Sequence, residues 1–418
     1  MDYSKAITLA KSKKTCEYIE SNLYEEDSIM ARFTIPRDVY YGPSAMDELK
    51  VLKGHKKAFI VTGTNFMIEN GTLEKLEGIL HDAGLETTVF DRVESNPRIS
   101  TCYRGAEKMR EFEPDVIVAL GGGSPVDAAK AMWIFYENPD LKFDDVKPPY
   151  SLPVLRKKAI LVAIGTTSGT GTEVTSFSVI TEDETKIKYP IADFEITPDI
   201  AIVDTDIPLS MPQTLIADSG MDSLTHSVEA FVATAHTDLT DTLALKSAQM
   251  VFDNLVDSYN GSETARRTVH VGQDLAGMAF SNALLGIVHS LAHKVGVTYD
   301  VTHGRCNAIM LPYVIEYNSA VCMDRFADIA KELGIPGSTD KQLTNNLVKA
   351  IKELNIALDI PLSYQEAGVD EELFKSTVDT LAEAACGDPC TLFNPRKTEF
   401  EDMKKVLTCC FYGDDVSF

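Results

Sequence analysis

Five side chains in the second half of the sequence have the types and spacing of a metal site. Asp222 and His226 stand four apart in "MDSLTHSVEAF", and His289 and His293 stand four apart in "GIVHSLAHKVG". On a helix, residues i and i+4 share a face, so each pair can turn two donor atoms toward one ion. His303 follows in "DVTHGRCN", beside a glycine. A single helical histidine is ordinarily a satisfied polar residue. Here four of the chain's 8 histidines fall in one region with a paired aspartate, which points to a bound cation. Mixed nitrogen and oxygen donors suit Fe2+ or Zn2+. A four-ligand site would leave one of the five groups beside the metal, and spacing does not decide which. Cys306 is a conceivable further ligand, read here as a small buried thiol.

A second kind of chemistry resides in two glycine loops. "LGGGSPVDAAK" sets Gly121, Gly122 and Gly123 at the end of an apolar run, with Ser124 expected to cap the following helix and Pro125 at its first position. A helix start of this kind offers unpaired N–H groups and a positive dipole end to a pyrophosphate. It is neither the GxGxxG fingerprint nor a P-loop. The second loop, "GTTSGTGTE" (Gly165 to Glu173), carries hydroxyls at Thr166, Thr167, Ser168, Thr170 and Thr172. One such loop is equally a tight turn that needs glycine for packing. Two of them at the ends of parallel strands suit the two ends of a dinucleotide. Gly63 stands where a carboxylate for the adenosine ribose is looked for. Its place leaves room for a 2′-phosphate, which Thr62, Thr64 or Asn65 could bond, and so favours NADP(H) over NAD(H).

These residues need a scaffold. From about Phe33 to Asp206 strands and helices alternate. Strands are expected at Lys56 to Gly63, Glu86 to Asp91, Pro114 to Ser124 and in "AILVAIG". Amphipathic helices are expected at Thr72 to Gly84, in "CYRGAEKMREF" and in "SPVDAAKAMWIFY". That alternation implies an α/β domain with a mostly parallel sheet covered on both faces. After Pro208 the patterns are helical throughout. The expected division is an N-terminal extension at 1–31, an α/β dinucleotide-binding domain at 32–206 and an all-helical metal-binding domain at 207–418. In the extension, Ile19 and Leu23 have the spacing of a short surface helix; it is read as an inert tail, with an oligomer contact or a docking peptide as the alternatives. No internal repeat or low-complexity tract is evident.

With 418 residues the chain exceeds the roughly 250–300 at which single cores stop growing. Its net charge of −24 repels phosphate backbones and argues against nucleic-acid binding. No apolar run is long enough to span a membrane, and the N-terminus lacks the order of a secretory signal. The 8 scattered cysteines, without a CxxC pair, suit a reduced cytoplasmic protein. Cys386 and Cys390 lie four apart, but no second ligand pair lies near them in sequence, which argues against a structural metal there.

Taken together, "GGGSPVDAAK", "TTSGTGTEVT", "SGMDSLTHSVEAF", "NALLGIVHSLAHKVG", "THG" and the late "NPR" (Asn394 to Arg396) resemble the iron-dependent (group III) alcohol dehydrogenase family. The resemblance runs from about Phe33 to near the C-terminus. It implies an N-terminal nucleotide-binding domain, a C-terminal helical domain and a catalytic metal in the cleft. By motif, Asp222, His226, His289 and His303 match the metal ligands, with Fe2+ expected and Zn2+ possible. His293 matches a histidine near the substrate that does not bind the metal. Gly122, Gly123, Ser124, Asp127, Thr166 and Thr167 match cofactor contacts, joined by Asn96 and Lys188, and Gly63 falls at the adenosine end.

The function implied is hydride transfer between NAD(P)H and a small aldehyde or alcohol, with the metal as Lewis acid and His293 as the proton relay. Phe177, Val179, Phe280 and Leu284 are candidate pocket walls. The expected partner is a small molecule, not nucleic acid or membrane, and the expected assembly is a homo-oligomer. The alternatives are a glycerol-dehydrogenase-like or dehydroquinate-synthase-like metalloenzyme on the same fold, or a non-catalytic interaction or filament module. The DxxxH and HxxxH spacings argue against the first, and the presence of the whole catalytic set argues against the second.

Overall fold

The buried runs at "KAFIVT", "VIVALG" and "ILVAIG" become the central strands of a parallel sheet. In the computed structural model, which describes residues 32–63 and 66–418, six strands form it: β1 (Asp38–Gly42), β2 (Lys57–Thr62), β3 (Glu86–Phe90), β4 (Val116–Gly121), β5 (Ile160–Gly165) and β8 (Ile200–Asp204). Their order is β1-β8-β5-β4-β2-β3, and every pairing is parallel. The tail at 1–31, Thr64 and Asn65 lie outside the described residues, so the expectations placed on them are not addressed by the structure.

Side chains alternate between two apolar layers, as a strand period of two requires. Phe59, Val61, Ile117 and Ala119 point to one layer, packed by α2 (Ile99–Phe112) and α3 (Gly123–Glu137) through Cys102, Met109, Met132 and Trp133. Ala58, Ile60, Val118 and Leu120 point to the other, packed by α1 (Thr72–Asp82) through Leu73, Leu76 and Leu80. Burial on both faces explains why these strands read as unbroken apolar runs.

The strand order reverses between β2 and β4. From β2 the chain moves outward to β3, then returns to lay β4 on the other side of β2. In open α/β sheets, ligands bind outside the carboxyl ends of the strands at such a switch point. Gly63 follows β2 there, and Gly121 ends β4.

Three features differ from the sequence expectation. Helix α3 begins at Gly123 with Gly122 as its N-cap, so Ser124 and Pro125 lie inside the first turn and Ser124 does not cap it. Proline is tolerated there because first-turn N–H groups have no helical partner. The chain also inserts an antiparallel pair, β6 (Phe177–Thr181) with β7 (Lys188–Ala192), as a separate two-stranded sheet. Finally, β1 and β8 join the sheet without having been anticipated.

From Gln213 the chain is helical: α4 (Gln213–Val232), α5 (Asp238–Tyr259), α6 (Glu263–Ala283), α7 (Ile287–Tyr299), α8 (His303–Glu332), α9 (Asp340–Ala357), α10 (Glu371–Cys386) and α11 (Phe400–Tyr412). None of these helices alone is long and apolar enough to cross a membrane. The compact units interleave along the chain rather than meeting at residue 206. One comprises Thr34–Ser223 and Asp257–Ser281; the other contains Leu224–Val256 and Asn282–Phe418. Helix α4 runs unbroken through the boundary.

Within the α/β unit, α6 belongs with the second glycine loop. Gln273 Nε2 donates to Glu173 Oε1 at 2.8 Å, and its Oε1 accepts from the Gly171 N–H at 2.6 Å. A Cβ on Gly171 would lie 2.7 Å from Gly277 Cα, so both glycines are needed for this approach. Within the helical unit, α8 contains Pro312 and a break at Cys322. Phe374 of α10 stacks on Phe411 of α11 with ring centroids 4.0 Å apart.

Candidate active site

Helix α4 carries Asp222, His226 and Glu229 at i, i+4 and i+7, one face of the helix. All three are buried, with Asp222 and His226 each 4% exposed. His289 lies in the first turn of α7. Asp222, His226 and His289 each present a donor atom within 4.8 Å of the others. The rings of His226 and His289 stack with centroids 4.5 Å apart.

Glu229 orders this arrangement. Its Oε2 accepts from His289 Nδ1 at 2.6 Å, and its Oε1 accepts from the Val288 N–H at 2.7 Å. One buried carboxylate therefore satisfies the start of α7 and fixes the His289 tautomer, with the proton on Nδ1 and the accepting lone pair on Nε2. The approach requires glycine at 286, where a Cβ would lie 2.9 Å from Glu229 Oε1 and 2.8 Å from Asn394 Oδ1. Asn394, the first residue of "NPR", in turn bonds Asn318 through both of its amide atoms, at 2.9 and 2.8 Å.

His303 opens α8 and is exposed. Its donor atoms fall outside the close trio, although its ring centroid is 5.3 Å from that of His289. The Nδ2 of Asn307, one turn later, lies 3.2 Å from His303 Nε2 and 3.1 Å from His289 Nε2. Two imidazole lone pairs thus converge on one point. His293 is separated from the trio: its Nδ1 sits 3.1 Å from Asp388 Oδ2, and its ring lies parallel to that of His303 at 5.5 Å.

A buried carboxylate and imidazoles with converging lone pairs, one of them held by a second carboxylate, form a donor set that fits Fe2+ or Zn2+. Cys306 is no part of it: its Sγ is buried and faces Val301 O at 3.7 Å.

The structure gathers the candidate cofactor residues around the switch point. Gly121 and Gly165 are register partners, and the Thr166 N–H donates to Gly121 O at 3.0 Å. The Asn96 N–H donates to Ser124 Oγ at 3.2 Å, and Asn96 O accepts from Thr181 Oγ1, whose register partner is Lys188. Asn96 is thereby linked to Ser124 at the start of α3 and Thr166 to the end of β4, with Lys188 opposite Thr181 in the β6–β7 pair.

Several of these residues also have structural duties. A Cβ on Gly122 would meet Thr167 Oγ1 at 3.0 Å, and one on Gly121 would meet Pro125 Cγ at 2.5 Å. A Cβ on Gly63 would meet Pro125 Cγ at 3.0 Å, so packing alone explains the glycine there. Thr62 is buried with its hydroxyl donated to Leu120 O, and is not available to a 2′-phosphate. Both carboxylate oxygens of Asp127 accept from protein groups, Thr172 Oγ1 and the Val179 N–H. Burial raises the Asp127 carboxyl and lowers the Lys130 ammonium, each opposed by the other's charge. Lys130 Nζ is spent on the carbonyls of Thr172, Thr175 and Phe177 at 2.7–2.8 Å. The start of α3, by contrast, has no side-chain cap, and its first-turn N–H groups suit a pyrophosphate. Among the candidate pocket walls, Phe177 and Phe280 stack at 6.5 Å.

Sequence reasoning missed Glu229, Asn307 and Asp388. Glu229 carried a usable signal, being the third polar residue on the Asp222–His226 face. Asn307 lies one helical turn after His303, a weaker form of the same signal. Asp388 lies far from His293 in sequence, and no local pattern marks it.

Two family descriptions match the chain: "Iron-containing alcohol dehydrogenase" over residues 36–205, and "Fe-containing alcohol dehydrogenase family, C-terminal" over 216–411. An NADPH-dependent butanol dehydrogenase of Clostridium saccharobutylicum is 51% identical over 389 residues, covering 93% of this chain and 100% of that protein. The bifunctional aldehyde-alcohol dehydrogenase AdhE of Escherichia coli is 40% identical over 91% of this chain, which spans 46% of that longer protein. Among solved structures, an iron-containing alcohol dehydrogenase from Thermococcus thioreducens superimposes with a TM-score of 0.85 at 34% identity, covering 91% of this chain and 100% of that one.

Proposed function

The chain belongs to the iron-containing alcohol dehydrogenase family, and we propose that it reduces short aliphatic aldehydes with NADPH, using Fe2+ at the Asp222–His226–His289 cluster with His303 as fourth ligand. It is an oxidoreductase acting on alcohols and aldehydes. The single observation that carries the site assignment is the buried Glu229–His289 bond, which supports a ligand role for a histidine that has a donor atom within 4.8 Å of those of Asp222 and His226. The cofactor preference is supported by the butanol dehydrogenase relative more than by Gly63, which packing explains.

A cation held here supplies Lewis-acid polarisation of the substrate oxygen, worth several kcal/mol of barrier. The chain's own residues do the rest. Glu229 keeps the proton on His289 Nδ1, so Nε2 stays a donor through turnover. The first turn of α3, with Gly122 and Gly123, binds the dinucleotide pyrophosphate. The Thr166–Thr167 backbone and Asn96 border that position. Hydride transfer requires the nicotinamide C4 against the substrate carbon. His293, whose Nδ1 is held by Asp388, presents Nε2 to take or give the alcohol proton through water. The protein works as a homo-oligomer in this reading, and a short hydroxy acid or sulfonated aldehyde is the alternative substrate class.

The test is to load purified protein anaerobically with Fe2+ and follow nicotinamide absorbance with short aldehydes, comparing NADPH with NADH. Metal-dependent oxidation, faster with NADPH, is expected. Faster oxidation of NADH would discard the cofactor preference and keep the enzyme class. No oxidation with either, despite a filled metal site, would overturn the substrate assignment.

A further inference from the structure

A second cluster of donors lies beside the proposed catalytic metal position without belonging to it. His293, Asp388 and Cys390 present a nitrogen, an oxygen and a sulfur atom within 4.8 Å of one another. They come from two elements of the helical unit: α7 gives His293, and the short 3-10 turn at Pro389–Phe393 gives Cys390, with Asp388 as its N-cap.

The two oxygens of Asp388 have separate tasks. Oδ1 accepts from the Cys390 N–H at 3.1 Å and anchors the turn. Oδ2 faces His293 Nδ1 at 3.1 Å and Lys294 Nζ at 2.9 Å. Two ligands about 2.1 Å from one ion at a tetrahedral angle lie roughly 3.4 Å apart, so His293 Nδ1 and Asp388 Oδ2 already stand near the required separation. Asp388 is 6% exposed, while His293 and Cys390 are partly exposed, and burial beside the Asp388 carboxylate pushes the Cys390 thiol well up. Nitrogen, oxygen and thiolate donors together are the chemistry of zinc-class ions, and three protein ligands leave a fourth position for water.

We infer that His293, Asp388 and Cys390 form a second, inhibitory cation site of the Zn2+ class. The incoming ion displaces the Lys294 ammonium from Asp388 Oδ2, and the Cys390 thiol gives its proton to solvent as the sulfur–metal bond forms. Lys294 thus serves as the resident counter-charge, which holds the site weak until such an ion accumulates. Occupation ties His293 Nδ1 to the ion: the Nδ1 proton that faced Asp388 Oδ2 passes to solvent and Nε2 takes one up, so the neutral ring keeps its N–H on Nε2 and has no lone pair left for proton transfer. Under the functional reading above it withdraws the histidine from proton transfer, and this consequence rests on that reading.

Co2+ serves as the probe because a cobalt–thiolate bond gives a charge-transfer band in the near ultraviolet. Fe2+-loaded protein is titrated anaerobically with Co2+, and bound metal and absorbance are read together. The wild type is expected to take up a second equivalent with the thiolate band. Cys390→Ser should lose the band and that equivalent, whereas Cys386→Ser should keep both. Lys294→Gln should bind the second equivalent more tightly, since the competing ammonium is gone. His289→Ala should lose the first equivalent and keep the band, so failure of the catalytic-site assignment is distinguishable from failure of this one. Absence of the band in wild type, its persistence in Cys390→Ser, or weaker binding in Lys294→Gln would overturn the proposal.

Discussion

Glu229 shows how one side chain ties the proposed metal position to the fold. Its two oxygens serve the α7 backbone and the His289 ring, and it is 3% exposed. Carboxylates behind a ligating histidine typically change metal affinity by about 10–100-fold. Glu229→Gln should therefore weaken Fe2+ binding by roughly that factor, measured by competition with a chelator. His289→Ala should empty the site and abolish turnover. His293→Ala should retain metal but alter the pH dependence of kcat; if it empties the site, the separation of His293 from the ligands is wrong. A different histidine bears on the pH dependence of stability. His270 is fully buried, with Nδ1 on Ser168 Oγ at 3.0 Å, and burial lowers it from 6.5 to about 4. A group depressed in the folded state contributes stability that is present above about pH 6.5 and lost as pH falls through about 4. His270→Gln should flatten that acid limb, by up to about 3 kcal/mol in denaturant titrations. An unchanged pH profile would refute the assignment.

The decisive element is helix α3, whose start lies at the switch point without a side-chain cap. Its glycines serve two ends: they let Thr167 and Pro125 pack close, and they leave N–H groups for a phosphate. Gly122 has a φ of −76°, which any residue adopts, so Gly122→Ala tests crowding rather than backbone strain. The variant should raise the KM for the nicotinamide cofactor about tenfold, equivalent to ~1.4 kcal/mol, with metal content unchanged. A KM that stays constant would leave the glycine with a packing role only. The unbroken apolar runs of β2 and β4 and the helical spacing of α1 to α3 were plain in the sequence. The exact start of α3 was not, because serine followed by proline is a common way to begin a helix, and glycine at the N-cap competes with it.

At the scale of the whole molecule, the net charge of −24 opposes an anionic cofactor. Raising ionic strength shortens the Debye length to about 8 Å at 0.15 M, which screens that repulsion. The KM for NADPH should therefore fall between low and physiological salt, measured in initial-rate assays; a KM that rises would mean local cationic groups dominate. Metal and fold should be coupled as well. Saturation at about 1,000 times Kd adds roughly 4 kcal/mol of stability. Fe2+ should raise the unfolding midpoint of the wild type but not of His289→Ala.

The sequence by itself determined the parallel α/β region and the helical region, and it singled out the candidate donor residues. Strand and helix periodicities are local, and the DxxxH and HxxxH pairs are legible within one turn of helix. It also supplied, unnoticed, Glu229 at the next turn of the same face. Only the tertiary structure brings donor atoms of Asp222, His226 and His289 within 4.8 Å of one another and sets His293 beside Asp388. It brought Asp388 and Cys390 to His293 and made a mixed donor cluster of a cysteine that local spacing had set aside. It also showed Gly63 and Thr62 to be committed to packing and to the sheet. The reason is physical: a ligand or a close contact is a matter of distance in space, and residues a hundred positions apart meet only when the chain between them has packed.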